Sequence, residues 1–193
     1  MRLSITLSQN PSTPYIEDYF ADILTDSGEL IGKRAFTLIK IQEMLDDEAG
    51  LLENFNDCTD FAYASAVFGE DFLMGKTTDM TELAVRLDFK GNFNILVLKC
   101  LEILPEFRGK GCGKEADRKV CEYMAGRYGL AIKKASPLQY GDFVLYSDPV
   151  WVRRMGYPDM QGDRKKDTDS LIRKYESWGY TRIGDTAFLY KEL

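Results

Sequence analysis

The chain has 193 residues, of which 45% are hydrophobic and 29% are charged. This length and composition predict one globular domain with a sizeable core and exclude a disordered chain. The 31 acidic and 25 basic residues give a net charge of −6, which disfavours nucleic acid as a partner because phosphate contacts need clustered Lys and Arg; no apolar run is long enough to span a membrane.

The first elements of the chain are predicted to be strands. Met1–Leu7 alternates apolar and polar residues, as a strand does, and the NPSTP segment at Asn10–Pro14 predicts a loop. Tyr15–Thr25 and Leu30–Ile41 are rich in β-branched and aromatic residues, and the DSGE segment at Asp26–Glu29 separates them. This pattern predicts a β-hairpin.

Two helices are predicted to follow the hairpin. Apolar residues at helical spacing predict one helix over Met44–Phe55 and a second over Asp60–Phe68, with Gly69 placed to end it. The stretch from Gly69 to Lys90 shows no clear pattern.

The middle of the chain predicts a strand, a loop, a helix and another strand. Asn94–Leu104 is almost continuously apolar, which is typical of a central strand covered on both faces. A glycine-rich loop follows, and apolar residues four apart in Lys114–Ala125 predict an amphipathic helix. Leu130–Ser136 predicts the fifth strand, so this part of the chain is a βαβ-like unit.

An insertion of loops with a short helix is predicted over approximately residues 137–167, within the same domain. Its aromatic residues either line an acceptor pocket or, as we favour, pack the insertion; they are Tyr140, Phe143, Tyr146, Trp151 and Tyr157. The GDRKK stretch at Gly162–Lys166 is predicted to be a solvated loop. Thr168–Trp178 predicts a helix, and Tyr180–Leu193 predicts a closing hairpin.

The loop after the central strand carries the clearest functional signal. Gly109, Gly111 and Gly113 allow the backbone to approach a ligand closely, and they lie where a helix begins. The first N–H groups of a helix have no internal partners and attract anions. Basic side chains surround the loop, namely Arg108, Lys110 and Lys114. The pattern therefore predicts a pyrophosphate site.

Two nucleotide-binding motifs fail to match this loop. A Walker A loop has one more residue between its glycines and a hydroxyl after the lysine, where this chain has Glu115. The dinucleotide fingerprint G-x-G-x-x-G fails because the spacing here is G-x-G-x-G. A phosphate-binding or nucleotide-binding protein stays a rival interpretation.

The arrangement R-x-x-G-x-G, formed by Arg108, Gly111 and Gly113, resembles the acetyl-CoA loop of the GNAT N-acetyltransferase superfamily. Two further segments are similar to that family: the DSGELIG turn and strand at Asp26–Gly32, and the late helix signature KYESWGY at Lys174–Tyr180. The resemblance covers a little under half of the chain, mainly residues 94–136 and 168–193.

This resemblance implies an α/β (α+β) fold with a central, mixed, twisted sheet flanked by helices. Residues 1–193 would form a single GNAT-like domain with an insertion after the fifth strand. The chain departs from the family pattern because only a short loop separates the first two strands. Its helices follow later, between Ile41 and Gly69, so the identity of the acceptor does not carry over.

The resemblance also implies a cosubstrate site for acetyl-CoA. The backbone near Leu101 and Ile103 would pair with the pantetheine arm, and the loop would hold the pyrophosphate through Arg108, Gly109, Lys110, Gly111, Cys112, Gly113 and Lys114. We expect Cys112 to be a small packing residue rather than a nucleophile. The GDRKK stretch is an alternative contact for the adenosine 3′-phosphate.

The chain contains no histidine, which excludes Ser-His-Asp and Cys-His catalysis. Direct attack of an amine on the thioester, the usual route in the family, needs neither. By resemblance, Tyr175 protonates the leaving thiolate; the alternative is that it only packs. Glu102 is the candidate general base. Equally, Glu102 is only an exposed or salt-bridged residue of the strand, in which case a water relay could remove the proton from the amine. No metal site is expected.

The predicted function is N-acetylation of a primary amine from acetyl-CoA, with a catalytically inactive acyl-CoA-binding or partner-binding module as the alternative. The acceptor is a small molecule, a peptide or a protein, and neither nucleic acid nor a membrane is expected; homodimer formation is left open. The four cysteines show no C-x-x-C pair, and with no signal peptide we expect reduced thiols in the cytoplasm.

Overall fold

The computed structural model describes residues 1–9, 13–47, 50–55, 58–141, 148–160 and 162–192. The strands in these ranges are β1 (Arg2–Gln9), β2 (Ile16–Leu24), β3 (Leu30–Ile39), β4 (Ile95–Ile103), β5 (Leu130–Lys134), β6 (Thr181–Arg182) and β7 (Phe188–Glu192). The α-helices are α1 (Ile41–Asp46), α2 (Cys58–Phe68), α3 (Glu70–Leu73), α4 (Glu82–Lys90), α5 (Cys112–Tyr123), α6 (Pro149–Met155) and α7 (Arg164–Glu176). Short 3₁₀ turns cover Leu52–Asn54, Pro105–Phe107, Leu138–Tyr140 and Tyr157–Asp159.

The strands form one seven-stranded sheet in the order β1-β2-β3-β4-β5-β7-β6. The β4–β5 pair is parallel and the other pairs are antiparallel. The parallel pair is joined through the glycine-rich loop and α5, as predicted, and both predicted hairpins are present. The expected fold class, a mixed α/β sheet flanked by helices, is confirmed.

The two central strands separate from each other part of the way along. β4 and β5 pair at only three positions, from Ile95 opposite Leu130 to Val97 opposite Ile132, although β4 continues to Ile103. On its other side β4 carries a bulge, because the register with β3 shifts between Ala35 and Thr37. A bulge bends a strand and re-aims its side chains. The result is a wedge-shaped opening beside the second half of β4.

Helices cover both faces of the sheet around this opening. Ile95 and Val97 pack with α1, α2 and α4 on one face. Leu96 and Leu98 pack with α5 and α7 on the other. The prediction that the apolar run in β4 is covered on both faces is confirmed, because these four residues are at most 1% exposed.

The helix predicted over Met44–Phe55 is wrong in extent. α1 begins at Ile41 and ends at Asp46, because the fully buried Ile41 and Met44 set its inner face directly after β3. In the stretch from Gly69 to Lys90, where the sequence shows no clear pattern, α4 has a cap at each end. The Thr81 side chain accepts a hydrogen bond from the Ala84 N–H, and Gly91 ends the helix in the left-handed conformation.

The described part of the insertion has loops, two 3₁₀ turns and the short helix α6, as predicted; Phe143 and Tyr146 lie outside the described residues, as does most of the predicted Asn10–Pro14 loop. The GDRKK stretch is exposed as expected, but its last three residues form the first turn of α7. The reason is Asp163, whose side chain caps the helix by accepting from the Lys166 N–H.

None of the described helices has the length and apolar character that crossing a bilayer requires. Within the same residues, no group of three or more Cys, Asp or Glu side chains is arranged to hold a metal ion.

Candidate functional site

A cavity of about 620 Å³ fills the opening between β4 and β5. Its walls come from the second half of β4, the glycine loop with the start of α5, the segment after β5, the insertion and α7. Leu101 and Ile103 line the cavity from β4, and Tyr175 lines it from α7. The structure therefore brings together the strand, loop and late helix that the sequence singled out.

The glycine loop presents unpaired main-chain N–H groups to this cavity. Gly109 and Gly111 have φ of 73° and 81°, a region that favours glycine. A Cβ at either position would meet no described atom within 4 Å, so the space in front of the backbone is open. Within the described residues, the N–H groups from Gly109 to Lys114 donate to no protein acceptor. This is the geometry of an anion nest at a helix start.

Gly113 has a different role from the other two glycines of the loop. A Cβ there would lie 3.2 Å from Leu101 Cδ2 and 3.3 Å from Trp178 Cη2. The missing side chain thus lets α5 approach β4 and the end of α7 closely. Cys112 is a partly buried, free thiol that packs with Ile103 and Ala116.

The cavity is cationic although the chain as a whole is acidic. Its basic lining residues are Lys99, Arg108, Lys114, Lys134 and Lys174. Lys99 is ion-paired with Asp60 at 2.8 Å and Asp18 at 3.3 Å, so the net positive charge comes from the other four. Among the described residues, Asp167 is the only carboxylate in the lining, and it already accepts hydrogen bonds from Tyr140 at 2.6 Å and Gln139 at 3.1 Å. Lys110 is exposed at the loop, with its ammonium 5.6 Å from the Phe107 ring centre. Such a lining suits a polyanionic ligand.

The side chain of Arg108 lines the cavity and is also hydrogen-bonded within the protein. Its Nε donates to the Ile103 carbonyl at 2.8 Å and its Nη2 to the Met155 carbonyl at 2.7 Å. The remaining Nη1 contacts Met160 Sδ at 3.1 Å. Burial lowers the pKa of Arg108, although neighbouring acids oppose this. The guanidinium therefore links the end of β4 to the insertion at the cavity wall.

Glu102 lies on the side of β4 that faces away from the cavity. It stands between Leu101 and Ile103, which line the cavity, and successive strand side chains point to opposite faces. The carboxylate accepts hydrogen bonds from Trp151 Nε1 at 2.7 Å and from the Tyr157 hydroxyl at 2.6 Å. The expected general base is thus buried and held by the insertion.

Tyr175 lies at the cavity wall among other aromatic side chains. Its ring packs against Trp178 and Tyr180, with ring centres 5.3 and 6.4 Å away. Within the described residues its hydroxyl has no hydrogen-bond partner, while the residue lines the cavity. Burial raises the pKa of Tyr175 despite the opposing effect of Arg34, so the phenol keeps its proton at neutral pH.

A buried charge network lies beneath Tyr175, and the sequence reasoning missed it. Asp117 accepts from Arg34 Nη2 at 2.9 Å, from Lys133 Nζ at 2.7 Å and from the Tyr180 hydroxyl at 2.6 Å. Arg34, Asp117 and Lys133 are each at most 3% exposed. A lysine inside the apolar strand LAIKKAS was the available signal, since charged residues are seldom fully buried unless paired.

No protein-family model matches the chain, and comparison with curated proteins finds no similar sequence. Comparison with solved structures finds nourseothricin acetyltransferase, 15% identical with a TM-score of 0.36, covering 95% of this chain and 67% of the other. A GNAT-family acetyltransferase from Listeria monocytogenes is 13% identical with a TM-score of 0.40, covering 94% of this chain and 66% of the other. A structure of AtaT complexed with acetyl-methionyl-tRNAfMet is 9% identical with a TM-score of 0.41, covering 99% and 95%. At such low sequence identities and TM-scores, these matches decide neither the activity nor the substrate of this chain.

Proposed function

We propose that this chain is an acyltransferase that moves an acetyl group from acetyl-CoA to a primary amine by direct attack on the thioester. One observation carries the proposal: an open nest of main-chain N–H groups lies beside a strand edge that has separated from its neighbour. A diphosphate attached to a long, amide-containing arm fits both features at once.

The residues present suit this cosubstrate. Main-chain N–H groups from Gly109 to Lys114 would hold the pyrophosphate, and Lys110 and Lys114 add positive charge at the same place. Beyond Val97 the edge of β4 is not paired with β5, so its main-chain groups near Leu101 and the N–H of Ile103 are available to amides of the pantetheine arm. The Ile103 carbonyl already accepts from Arg108 Nε.

Bound acetyl-CoA supplies an activated acyl group with a thiolate leaving group. Tyr175 would hold its phenolic proton at the cavity wall and donate that proton to the departing sulfur. A main-chain N–H of β4 would stabilise charge on the thioester oxygen, an effect worth about 3 kcal/mol in comparable sites. Because Glu102 does not line the cavity, we assign removal of the acceptor ammonium proton to water.

Thermal unfolding in the presence of single ligands tests cosubstrate binding. A ligand at about one hundred times its Kd adds about 2.7 kcal/mol to the free energy of unfolding. We expect acetyl-CoA to stabilise the protein, and ATP with magnesium or NAD to have no such effect. Stabilisation by ATP with magnesium, without stabilisation by acetyl-CoA, would overturn the proposal in favour of a nucleotide-binding protein.

Turnover is tested separately by release of free CoA thiol with a panel of small amines, amino acids and peptides. Thiol release that requires an amine is the expected result. A protein that binds acetyl-CoA tightly but releases no thiol with any amine would instead be the inactive acyl-CoA-binding module.

A further inference from the structure

The carboxylate of Glu102 makes two hydrogen bonds across the boundary between the sheet and the insertion. Its two oxygens are each taken by a different donor, Trp151 in α6 and Tyr157 in the turn after it. Glu102 is 2% exposed, and Trp151 is 3% exposed. Hydrogen bonds to a carboxylate are about twice as strong as neutral ones, so this contact fixes the position of the insertion firmly.

A second set of hydrogen bonds joins the end of β4 to the insertion. Arg108 joins the last carbonyl of β4, at Ile103, to the carbonyl of Met155 at the end of α6. Gly156 ends α6 in the left-handed conformation, so the Met155 carbonyl belongs to the negative end of that helix and attracts a cation. Glu102 and Arg108 thus hold the same segment, residues 151–160, through separate hydrogen bonds.

The fastened segment forms a wall of the cavity. Met155, Tyr157 and Met160 line the cavity next to the glycine loop. Trp151 and Met155 also pack on Leu104, which is fully buried at the end of β4. The wall is therefore mainly apolar, and its position depends on polar contacts to Glu102 and Arg108.

We propose that Glu102 is a positioning residue that, together with Arg108, fastens residues 151–160 across the end of β4 and thereby shapes the cosubstrate cavity. The expected effects on acetyl-CoA binding and on kcat rest on the proposed function, whereas the contacts that hold the segment do not. It assigns Glu102 no proton transfer, because its side chain points away from the cavity and both of its oxygens have donors from the insertion.

Removal of the donors distinguishes this role from base catalysis. Trp151→Phe and Tyr157→Phe each delete one hydrogen bond and leave the Glu102 carboxylate in place, whereas Glu102→Gln removes the charge. Glu43→Gln is the matched control, since Glu43 is an exposed carboxylate on α1 and does not line the cavity. For each protein we would measure the Kd for acetyl-CoA, kcat, KM, the pH profile of kcat, and the rate of proteolysis within residues 137–160.

We expect Glu102→Gln, Trp151→Phe and Tyr157→Phe to behave alike. Each should weaken acetyl-CoA binding by about tenfold, the effect of one charge-assisted hydrogen bond, and should speed cleavage of the insertion. The pH profile of kcat should keep its wild-type shape, and Glu43→Gln should match the wild type throughout.

Two results would overturn the role. The first is loss of kcat and of the acidic limb of the pH profile in Glu102→Gln alone, with binding and cleavage unchanged. The second is wild-type binding and cleavage in both donor variants, which remain informative if Glu102→Gln fails to fold. If the wild type does not bind acetyl-CoA, the proposed function fails, while the cleavage rates still test the fastening.

Discussion

The ammonium group of Lys133 lies 4.3 Å from the centre of the Tyr175 ring, on the buried side of the cavity. The same ammonium lies 4.0 Å from the ring centre of Tyr180 and donates to Asp117. The ring proposed to donate a proton is therefore placed by a buried charge network as well as by apolar packing.

Replacing Tyr175 by Phe should remove the proton donor and keep the packing of the ring. Because general acid catalysis contributes about 10²–10⁴-fold, we expect kcat to fall by at least about a hundredfold. The Kd for acetyl-CoA should not change, since the hydroxyl makes no contact that shapes the glycine loop. Tyr123→Phe is the control, because Tyr123 is 58% exposed on α5. Wild-type kcat in Tyr175→Phe would contradict the assignment.

Replacing Gly111 by Ala separates backbone strain from ligand binding. Both Gly111 and Gly126 have φ near 80° (81° and 82°), and neither would bring a Cβ within 4 Å of another described atom. Each alanine variant should therefore lose about 1–2 kcal/mol of stability from the left-handed backbone alone. Only Gly111→Ala should also weaken acetyl-CoA binding, since Gly126 follows the far end of α5. Denaturant unfolding and titration calorimetry measure the two effects. Equal acetyl-CoA affinity in the two variants would count against the anion nest.

The buried network should respond unequally to loss of its members. Asp117→Asn leaves the charges of Arg34 and Lys133 buried without a counter-ion, and we expect a loss of about 3–5 kcal/mol in the free energy of unfolding. Lys133→Met leaves Arg34 and Asp117 as a balanced pair, so its cost should be clearly smaller. Urea unfolding of both variants provides the comparison. A larger loss in Lys133→Met would show that the charge balance has been assigned incorrectly.

Acid should destabilise the fold partly through Glu17. Desolvation raises the pKa of this carboxyl, but hydrogen bonds from Lys40, Tyr19 and Arg127 outweigh it and lower the pKa from 4.5 to about 2. The stabilisation is therefore fully present above about pH 4.5 and is lost as the pH falls towards 2. We expect about 2–3 kcal/mol to disappear over this range.

The Glu17→Gln variant should lose this part of the pH dependence, because its amide does not titrate. Chemical unfolding at a series of pH values from 2 to 7 measures the difference between the two proteins. Parallel pH profiles for the wild type and the variant would show that Glu17 does not carry the effect.

The sequence was sufficient to predict the parts of the site that depend on local signals. The apolar run in β4, the glycines of the loop and the amphipathic pattern of α5 are all contiguous, and each was located to within a few residues. The late helix was also found, because Gly179 and the KYESWGY segment mark its end. These elements place the cavity, and their order along the chain is enough to specify a parallel pair with a connecting helix.

The roles of individual charged side chains were not predictable in the same way. Arg108 has the right spacing for a ligand contact, but its partner carbonyl at Met155 is 47 residues away. The donors that hold Glu102 are 49 and 55 residues away. The sequence has no local pattern that reports such distant pairings, so residues next to the loop were expected to face the ligand.

Hydrogen exchange at the main-chain amides of residues 109–114 tests the central claim most directly. We predict rapid exchange in the free protein and strong protection by both acetyl-CoA and CoA, with no protection of the exposed amide of Gly126. Exchange at 109–114 that is already slow in the free protein, or that does not change at saturating acetyl-CoA, would contradict the account.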